Sequence, residues 1–378
     1  MGGLDVISVN LTLWSFVLLA LKDPRRDFKR VHVVRKAPPT SSLKAENDVD
    51  ESKVWEEAYP PTLRRRIPWV LTLVISIPLP NWHTGDPTHD NRQPASSNAS
   101  RRTFALSALR HIITGYLLLD LTSFHVRTDP YFHDPSIPIS SATPSSSSPL
   151  PFLHMLPPRI LRTTILAAQI YALIPCLFHL PVLPAIALSH LAPSLLPDEW
   201  SPHTWPPFFG PFSAVSRHGL RGLWGSWWHQ MSRQMISPPG RALANVMHLN
   251  PRSQLRYMLV TISAFGLSGV VHMGLVPPRP LHTTMTPMEM RMRIGSFFWV
   301  QIAGFAIEVV VSGIFRGAGG RVSGLVKRVV LLVWVSAWLC ATLPLVVPPF
   351  RELRYWSVYP IPVSIFQGLF GDGWLQWA

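Results

Sequence analysis

Residues 255–276 read LRYMLVTISAFGLSGVVHMGLV, an almost unbroken apolar stretch with one histidine near its end. An α-helix rises about 1.5 Å per residue, so roughly 20 apolar residues cross the ~30 Å hydrocarbon core of a bilayer. This stretch therefore predicts a transmembrane helix. Comparable apolar stretches at 294–315 and 328–347 indicate that the helix is one of several.

The composition of the whole chain agrees with a membrane protein. Of its 378 residues, 47% are hydrophobic and 14% are charged, whereas typical soluble domains have about 25% charged residues. So few charges argue against a soluble enzyme of this size, and the same numbers exclude a chain that is disordered throughout. We expect an all-α, polytopic integral membrane protein.

Further apolar segments bring the predicted number of transmembrane helices to about seven. Residues 4–21, 104–126 and 160–180 are long enough to span, and residues 181–196 form a shorter apolar segment after a proline. Residues 67–80 are apolar but too short to span, so they predict an interfacial or re-entrant helix.

The chain divides into three predicted regions. Residues 1–36 are expected to be an uncleaved membrane anchor and a basic flank that faces the cytosol, because basic residues follow the apolar segment and none precedes it. Residues 37–103 are expected to be a polar linker that contains the short interfacial segment. Residues 104–378 contain the remaining predicted spans and form the core.

Charge and cysteine content exclude several classes of function. The net charge of +14 comes mostly from lysine and arginine residues at the ends of apolar segments. This distribution is typical of the positive-inside rule, so we expect a lipid bilayer and no nucleic acid as partner. The two cysteines, Cys176 and Cys340, lie in apolar stretches and predict neither a disulfide framework nor a metal site.

The most unusual stretch outside the predicted spans begins with WPPFFG at 205–210 and continues as RGLWGSWWHQ at 221–230. It is too polar and too rich in aromatic residues to face lipid. On a helix, Trp224 and Trp228 share one face. Composition alone leaves two interpretations open, an interfacial helix in an aromatic belt or part of a functional site.

Polar side chains also lie inside two predicted spans. His272 lies deep in the first quoted stretch, with Ser268 one helical turn earlier on the same face. Gln301 and Glu308 lie two turns apart on one face of the span that follows. Ionisable groups inside a bilayer are costly and indicate functional sites by default. A structural hydrogen bond within the helix bundle is the alternative for each of them.

The motifs WPPFFG and RGLWGSWWHQM (221–231), the later FGLSGVVH (265–272) and the segment FFWVQ (297–301) leading to Glu308 carry a resemblance. They resemble the signature, the buried-histidine motif and the following segment of the wax-synthase-like membrane-bound O-acyltransferase family. The resemblance extends from about Trp55 to the C-terminus. Within that family, the chain resembles fungal O-acetyltransferases of terpenoid and meroterpenoid biosynthesis.

The resemblance implies acyl transfer from a CoA thioester to a hydroxyl group, inside a helical bundle built around an internal catalytic tunnel. It implies acetyl-CoA as co-substrate, no bound cofactor or metal, and a hydrophobic terpenoid or meroterpenoid alcohol as acceptor. It also implies a multi-pass protein of the endoplasmic reticulum, with residues 104–378 as the wax-synthase-like acyltransferase core. The sequence gives no information on the oligomeric state of the protein.

Three alternatives remain open at the level of sequence. One is a wax ester or sterol ester synthase that uses a long-chain acyl-CoA. A second is a membrane transporter that relays protons or solutes through Glu308 and His272, although no internal repeat is visible. The third is a structural membrane scaffold.

The resemblance assigns the two catalytic roles to histidines. His272 is expected to act as the general base for the alcohol, because an imidazole with a pKa of about 6.5 is largely neutral at cytosolic pH. His229 is expected to hydrogen-bond the thioester carbonyl and stabilise the oxyanion. Neither cysteine lies in these motifs, so no thiol nucleophile is expected.

Two further groups of residues are expected around the reacting atoms. The expected substrate-binding residues are Trp228, Gln230, Ser268 and Glu308. The expected contacts to the phosphates of CoA are Arg217, Arg221 and Arg233. Plain positive-inside charge is the alternative for the three arginines.

Overall fold

A computed structural model of the chain describes residues 2–34, 53–75, 82–85, 101–143, 155–180, 182–191, 208–228, 230, 232–280, 283–317 and 323–376. Within these residues the protein is mostly helical, and its three strands lie in the N-terminal part. Several of its helices have the length and composition of membrane spans. The prediction of an all-α, polytopic integral membrane protein is confirmed.

The N-terminal part combines short helices with a small antiparallel sheet. Its elements are α1 (Gly2–Phe16, continued by a π-helical turn at Val17–Leu21), α2 (Pro24–Asp27), β1 (Lys29–Val34), β2 (Lys53–Glu57), α3 (Leu63–Ile75) and β3 (Trp82–His83). β1 is the central strand and pairs with both others. Its register places His32 opposite Trp55 and Arg30 opposite Trp82.

The sheet joins two regions that the sequence predicts only as a basic flank and a polar linker. The Lys29 ammonium lies 2.8 Å from Glu56 of β2, and the His32 ring stacks on Trp55 with ring centroids 4.2 Å apart. Such cross-strand pairs stabilise a particular register. Basic residues of β1 therefore take part in strand pairing, and their predicted role in membrane topology stays a prediction.

α3 is an apolar helix of 13 residues with two different faces. Trp69 is buried against Trp82, with ring centroids 4.9 Å apart, and Leu73 lies in the same cluster. The opposite face exposes Ile67 and Leu71. This helix begins before the predicted segment 67–80, and its interfacial or re-entrant placement stays a prediction.

The helices after residue 100 form the core of the protein. They are α4 (Arg101–Thr128), α5 (Pro158–His179), α6 (Val182–Leu191), α7 (Ser213–Gly222, continued by a π-helical turn at Leu223–Trp227), α8 (Arg233–Val246), α9 (Gln254–Met273), α10 (Pro287–Gly317), α11 (Gly324–Thr342), α12 (Val347–Glu352) and α13 (Ile365–Phe370). Helix α4 packs on α5, α9 packs on α8 and α10, and α11 packs on α7.

Five described helical segments are long and apolar enough to cross a bilayer. They are Thr103–Thr128, Pro158–His179, Gln254–Met273, Pro287–Ile314 and Gly324–Glu352. The first predicted span is represented by the shorter apolar helix Ser8–Leu21, and the segment after the proline by the ten-residue α6. Five of the predicted spans are thus confirmed as long apolar helices, whereas the total of seven stays a prediction.

Two buried carboxylates, one within α4 and one just after it, hold neighbouring parts of the core in place. Asp129, just after α4, forms a bidentate ion pair with Arg162 of α5, with N···O distances of 2.8 and 2.9 Å. Asp120 of α4 accepts hydrogen bonds from the hydroxyls of Tyr359 and Ser364. Both residues belong to the C-terminal segment, by which we mean residues 353–376. Because all five of these side chains are buried, α4 aligns both α5 and the C-terminal segment.

Candidate active site

His272 lies in the last turn of α9 and is partly buried. Its Nδ1 donates a hydrogen bond of 2.7 Å to the backbone carbonyl of Ser268, one turn earlier. Because a carbonyl oxygen only accepts hydrogen bonds, Nδ1 carries the proton of the neutral ring and Nε2 carries the lone pair. The predicted proximity of Ser268 and His272 is confirmed, and it operates through the backbone of Ser268.

The imidazole of His272 is held against α10 by an aromatic contact. Its ring stacks on Phe298 with centroids 4.0 Å apart and an interplanar angle of 28°. Phe297, the preceding residue, contacts Trp224 with ring centroids 6.2 Å apart. The two adjacent phenylalanines therefore connect the histidine to the stretch that contains RGLWGSWWHQ.

The two halves of the tryptophan-rich motif lie side by side. The Gly210 backbone N–H donates a hydrogen bond of 2.9 Å to the Trp227 carbonyl, and Phe209 stacks on Trp227 at 5.2 Å. A side chain at position 210 would lie 2.0 Å from the Ser226 carbonyl oxygen, so only glycine allows this approach. The motif thus forms one compact unit over its described residues.

The second half of the motif is a distorted helix, which we call the tryptophan segment (residues 220–228). The helix bends at Gly219, whose φ of 62° is left-handed, restarts at Leu220, and becomes a π-helical turn over Leu223–Trp227. Trp228 is already extended, with φ −60° and ψ 146°. π-Helical turns of this kind are frequent at functional sites.

The regular helix therefore ends before Trp228, and Gln230 supplies the physical reason. Its side-chain amide donates hydrogen bonds to the carbonyls of Trp224 (3.2 Å) and Trp228 (2.6 Å). These side-chain bonds satisfy carbonyls at a helix end, where backbone donors are missing. Trp224 and Trp228 nevertheless remain in contact, with ring centroids 6.0 Å apart.

The three arginines expected at CoA make different contacts within the protein. Arg217 and Arg221 lie exposed on α7, on either side of the bend, and the Arg221 guanidinium lies 4.2 Å from the centre of the Tyr257 ring. Arg233 begins α8 and donates hydrogen bonds to the Gln230 side chain (3.2 Å) and to the Gly225 carbonyl (3.4 Å). Arg233 therefore stabilises the end of the tryptophan segment through these hydrogen bonds.

Glu308 lies on α10, far along the helix from Phe298, the residue on which His272 stacks. Ten residues separate it from Phe298, which corresponds to about 15 Å along a helix axis. Its carboxylate instead accepts hydrogen bonds from the Leu220 backbone (2.6 Å) and the Trp334 indole (2.9 Å). The structure thus brings Trp228, Gln230 and Arg233 together and places Glu308 at the other end of the tryptophan segment.

His229 lies outside the described residues, as do residues 205–207 at the start of the motif. Its neighbours Trp228 and Gln230 are described and lie at the end of the tryptophan segment. The separation between the His229 and His272 side chains is therefore undefined, and the role of His229 stays a prediction.

Three residues that contact the site were not predicted from the sequence. Phe298 positions His272, and Trp334 and Trp338 of α11 donate hydrogen bonds to Glu308 and Gln301. A usable signal exists for the two tryptophans, because a buried indole N–H needs an acceptor and these two lie one turn apart on an apolar span. The stacking of Phe298 depends on how α9 packs on α10 and has no such local signal.

A cavity of about 340 Å³ lies between α4, α5 and the C-terminal segment, with Ser123, Gln169 and Tyr359 among its lining residues. His272 is not among the residues that line it. The predicted tunnel at His272 therefore stays a prediction. Among the described residues, no group of three or more His, Cys, Asp or Glu side chains is arranged to hold a metal ion.

Comparison with known proteins places this site in context. Residues 205–286 match the sequence profile described as the Membrane bound O-acyl transferase family. The predicted resemblance is confirmed. The matching stretch, which we call the acyltransferase-like region, contains the tryptophan segment, His229 and His272.

Curated fungal acetyltransferases are similar to about half of this chain. Acetyltransferase nanB of Aspergillus nanangensis is 32% identical over 177 residues, which cover 45% of this chain and 40% of that protein. Acetyltransferase ple2 of Rhodocybe pseudopiperita is 29% identical over 212 residues, covering 56% of this chain and 49% of that protein. Acetyltransferase TRI7 of Fusarium sporotrichioides is 27% identical over 184 residues, covering 45% and 39%.

The matches cover less than half the length of each of these relatives. No solved structure matches the chain. The acyltransferase-like region therefore rests on the match of residues 205–286 to the family profile.

Proposed function

We propose that this protein is a membrane-bound O-acyltransferase that moves an acetyl group from acetyl-CoA to a hydroxyl of a hydrophobic terpenoid or meroterpenoid secondary metabolite. The observation that carries the proposal is the position of His272 inside the acyltransferase-like region, where its ring stacks on Phe298 and its Nδ1 is bonded to the Ser268 carbonyl. The names of the relatives support acetyl as the acyl group, since each is called an acetyltransferase.

In the proposed reaction, Nε2 of His272 removes the proton of the acceptor hydroxyl as its oxygen attacks the thioester carbonyl carbon. The C–S bond breaks, the acyl group forms an ester with the acceptor, and the proton passes from His272 to the leaving thiolate of CoA. The hydrogen bond from Nδ1 to the Ser268 carbonyl stabilises the imidazolium that forms between these steps. A positioned base of this kind contributes about 10²–10⁴-fold to the rate.

His229 is proposed to stabilise the negative charge on the thioester oxygen in the transition state. This role rests on the resemblance alone, and its residue type suits it because an imidazole N–H is a strong hydrogen-bond donor. Trp228 and Gln230 flank it in the chain. We propose that these two residues line the place where the thioester and the acceptor meet.

The remaining expected residues take different proposed roles. Arg217 and Arg221 are exposed on α7 and are proposed to contact the phosphates of CoA. Arg233 is also proposed to contact the phosphates of CoA, next to the hydrogen bonds that its guanidinium donates to Gln230 and Gly225. Ser268 orients the base through its carbonyl.

The five apolar helices place the protein in a membrane, which agrees with a lipophilic acceptor that enters from the bilayer. The proposed membrane is the endoplasmic reticulum, by analogy with the family that the chain resembles. The long-chain acyl-CoA alternative uses the same histidine and differs only in the volume available to the acyl chain.

The proposal is tested with microsomes that contain the full-length protein. They are given radiolabelled acetyl-CoA or palmitoyl-CoA, together with a panel of terpenoid, sterol and fatty alcohols, and the esters are extracted and separated. We expect labelled acetyl esters of polycyclic terpenoid alcohols, in amounts well above those of microsomes without the protein. Labelling from palmitoyl-CoA alone would support the long-chain alternative, and no extractable ester from either donor would contradict the proposed function.

A further inference from the structure

Two polar side chains of α10 each bind both α11 and the tryptophan segment. We define the Glu308 group as Glu308 with the backbone N–H groups of Leu220 and Arg221 and the indole of Trp334. We define the Gln301 group as Gln301 with the indoles of Trp224 and Trp338. The acceptors lie two helical turns apart on α10, and their donors lie one turn apart on each partner.

The Glu308 group lies where the tryptophan segment begins. Glu308 Oε1 accepts hydrogen bonds from the Leu220 N–H (2.6 Å) and the Trp334 indole (2.9 Å), and Oε2 accepts one from the Arg221 N–H (3.3 Å). The first N–H groups of a helix have no partner inside the helix, and a negative charge there is stabilising. Glu308 therefore caps the restarted helix from a neighbouring element.

Gly219 makes this cap possible. Its φ of 62° bends the chain so that the N–H groups of Leu220 and Arg221 point toward Glu308. A Cβ atom at position 219 would lie 2.2 Å from Glu308 Oε1. The bend and the carboxylate thus depend on each other, since any larger residue at 219 would displace the carboxylate.

The Gln301 group holds the middle of the same segment. Gln301 is fully buried, and its Oε1 accepts hydrogen bonds from the indoles of Trp338 (3.0 Å) and Trp224 (3.3 Å). Its Nε2 donates to the Phe297 carbonyl, which fixes the side-chain amide to its own helix. Trp224 is therefore held by a side chain that is itself immobilised.

The geometry points to Glu308 as a positioning residue that sets the placement of the tryptophan segment relative to His272. The same helix, α10, carries Phe298, on which His272 stacks, and Glu308, which caps the tryptophan segment. Loss of the cap would leave the contact with His272 intact while the segment moves. Glu308 then acts on the reaction without touching the substrate, in contrast to the substrate-binding role expected from the sequence.

The kinetic part of this inference rests on the proposed acyltransferase function, whereas its structural part does not. The test therefore has two measurements on the full chain in detergent or nanodiscs. The first is amide hydrogen exchange of peptides that cover residues 219–228. The second is kcat and KM for acetyl-CoA. The variants are Glu308→Leu, Glu308→Gln and, as control on the exposed surface of α10, Glu289→Gln.

We expect Glu308→Leu to raise amide exchange at residues 220 and 221 about tenfold or more, because the hydrogen bonds from these two N–H groups to the Glu308 side chain are lost. We expect kcat to fall by about the same factor and KM for acetyl-CoA to rise, because Arg221 and Trp228 belong to the segment that moves. Glu308→Gln keeps an oxygen that can accept hydrogen bonds from Leu220 and Trp334. This variant is therefore expected to have amide exchange and kcat close to those of the wild type. The Glu289→Gln control is expected to match the wild type.

Three results would overturn the inference. One is unchanged exchange in residues 219–228 of Glu308→Leu. Another is exchange that rises equally in all helices, which indicates a general loss of stability. The third is a Glu308→Gln variant as defective as Glu308→Leu.

If Glu308→Leu does not accumulate, Trp334→Phe removes one donor and is expected to raise exchange in the same peptides by a smaller factor. Absence of acyl transfer by the wild type contradicts only the proposed function and leaves the exchange result valid.

Discussion

At the level of single residues, His272 differs from two other helical histidines, His111 and His179, in the contacts of its ring. His111, His179 and His272 each donate from Nδ1 to a backbone carbonyl one turn earlier, at 2.7, 2.8 and 2.7 Å. This bond is therefore a property of histidine in a helix and not a mark of catalysis. The rings differ, because His111 and His179 stack on each other whereas His272 stacks on Phe298 beside the tryptophan motif.

Asp120 gives a test of stability at a single residue. Its carboxylate accepts hydrogen bonds from the hydroxyls of Tyr359 and Ser364 and from the backbone N–H of Ile365. Burial raises the pKa of the Tyr359 phenol, so this hydroxyl stays protonated and remains a donor at neutral pH. We expect Asp120→Ala to destabilise the protein by several kcal/mol, since each buried donor left without a partner costs about 1–3 kcal/mol.

The measurement is the midpoint of thermal unfolding in detergent, together with limited proteolysis of the C-terminal segment. Asp134→Ala is the matched control, because Asp134 is exposed and its carboxylate binds the nearby Ser136. The prediction is that Asp120→Ala unfolds at a lower temperature and loses residues after 352 to protease first. Equal midpoints for the two variants would show that Asp120 does not hold the segment.

For single residues, helical spacing in the sequence was sufficient to predict some contacts of the site and not others. Ser268 and His272 follow from the rule that residues four apart share a helix face. Glu308 was recognisable as a costly group within a span, but its partner was not, because the Leu220 backbone lies 88 residues away in the chain. Long-range contacts of this kind depend on helix packing, which one sequence does not specify.

The packing of α9 on α10 is the element on which the position of His272 depends. A Cβ atom at Gly269 would lie 2.3 Å from the Trp299 indole nitrogen, so the two helices approach closely there. At Gly266, one turn earlier on α9, no atom lies within 4 Å of an added Cβ. The two glycines of the motif FGLSGVVH therefore have different structural roles.

This contrast gives a prediction at the level of the element. Gly269→Ala is expected to push Trp299 aside and separate α9 from α10, which weakens the stacking of His272 on Phe298 and lowers acyl transfer by about tenfold or more. Gly266→Ala is expected to retain activity and to stabilise the helix slightly. Both variants are assayed in microsomes at equal protein content. Equal activity of the two variants would contradict the predicted dependence on helix approach.

Elements were predictable where length and hydropathy decide them. The five long apolar helices agree with the predicted spans because a bilayer requires about 20 apolar residues per crossing. The strand Lys29–Val34 was not predicted, since its partner β2 lies beyond a long polar stretch. The break at Trp228 was also missed, because the Gln230 side chain replaces backbone donors there.

For the whole molecule, the arrangement of polar groups bears on the alternative functions. A proton or solute relay through Glu308 and His272 needs these groups to follow one another along a path, yet about 15 Å of α10 separates Glu308 from the ring that holds His272. Glu308 is instead occupied by three donors. This arrangement favours an enzyme whose helices position one base over a transporter.

The central claim, that His272 is the base of an acyl transfer, is tested most directly by one rate comparison. Microsomes with the wild type, His272→Ala or His179→Ala are matched for protein content and given labelled acetyl-CoA with the best acceptor alcohol. His179 is the control because it makes the same bond to its own helix and stacks on His111. We predict a loss of about 100-fold or more for His272→Ala and nearly full activity for His179→Ala. Near wild-type transfer by a stably inserted His272→Ala protein would contradict the account.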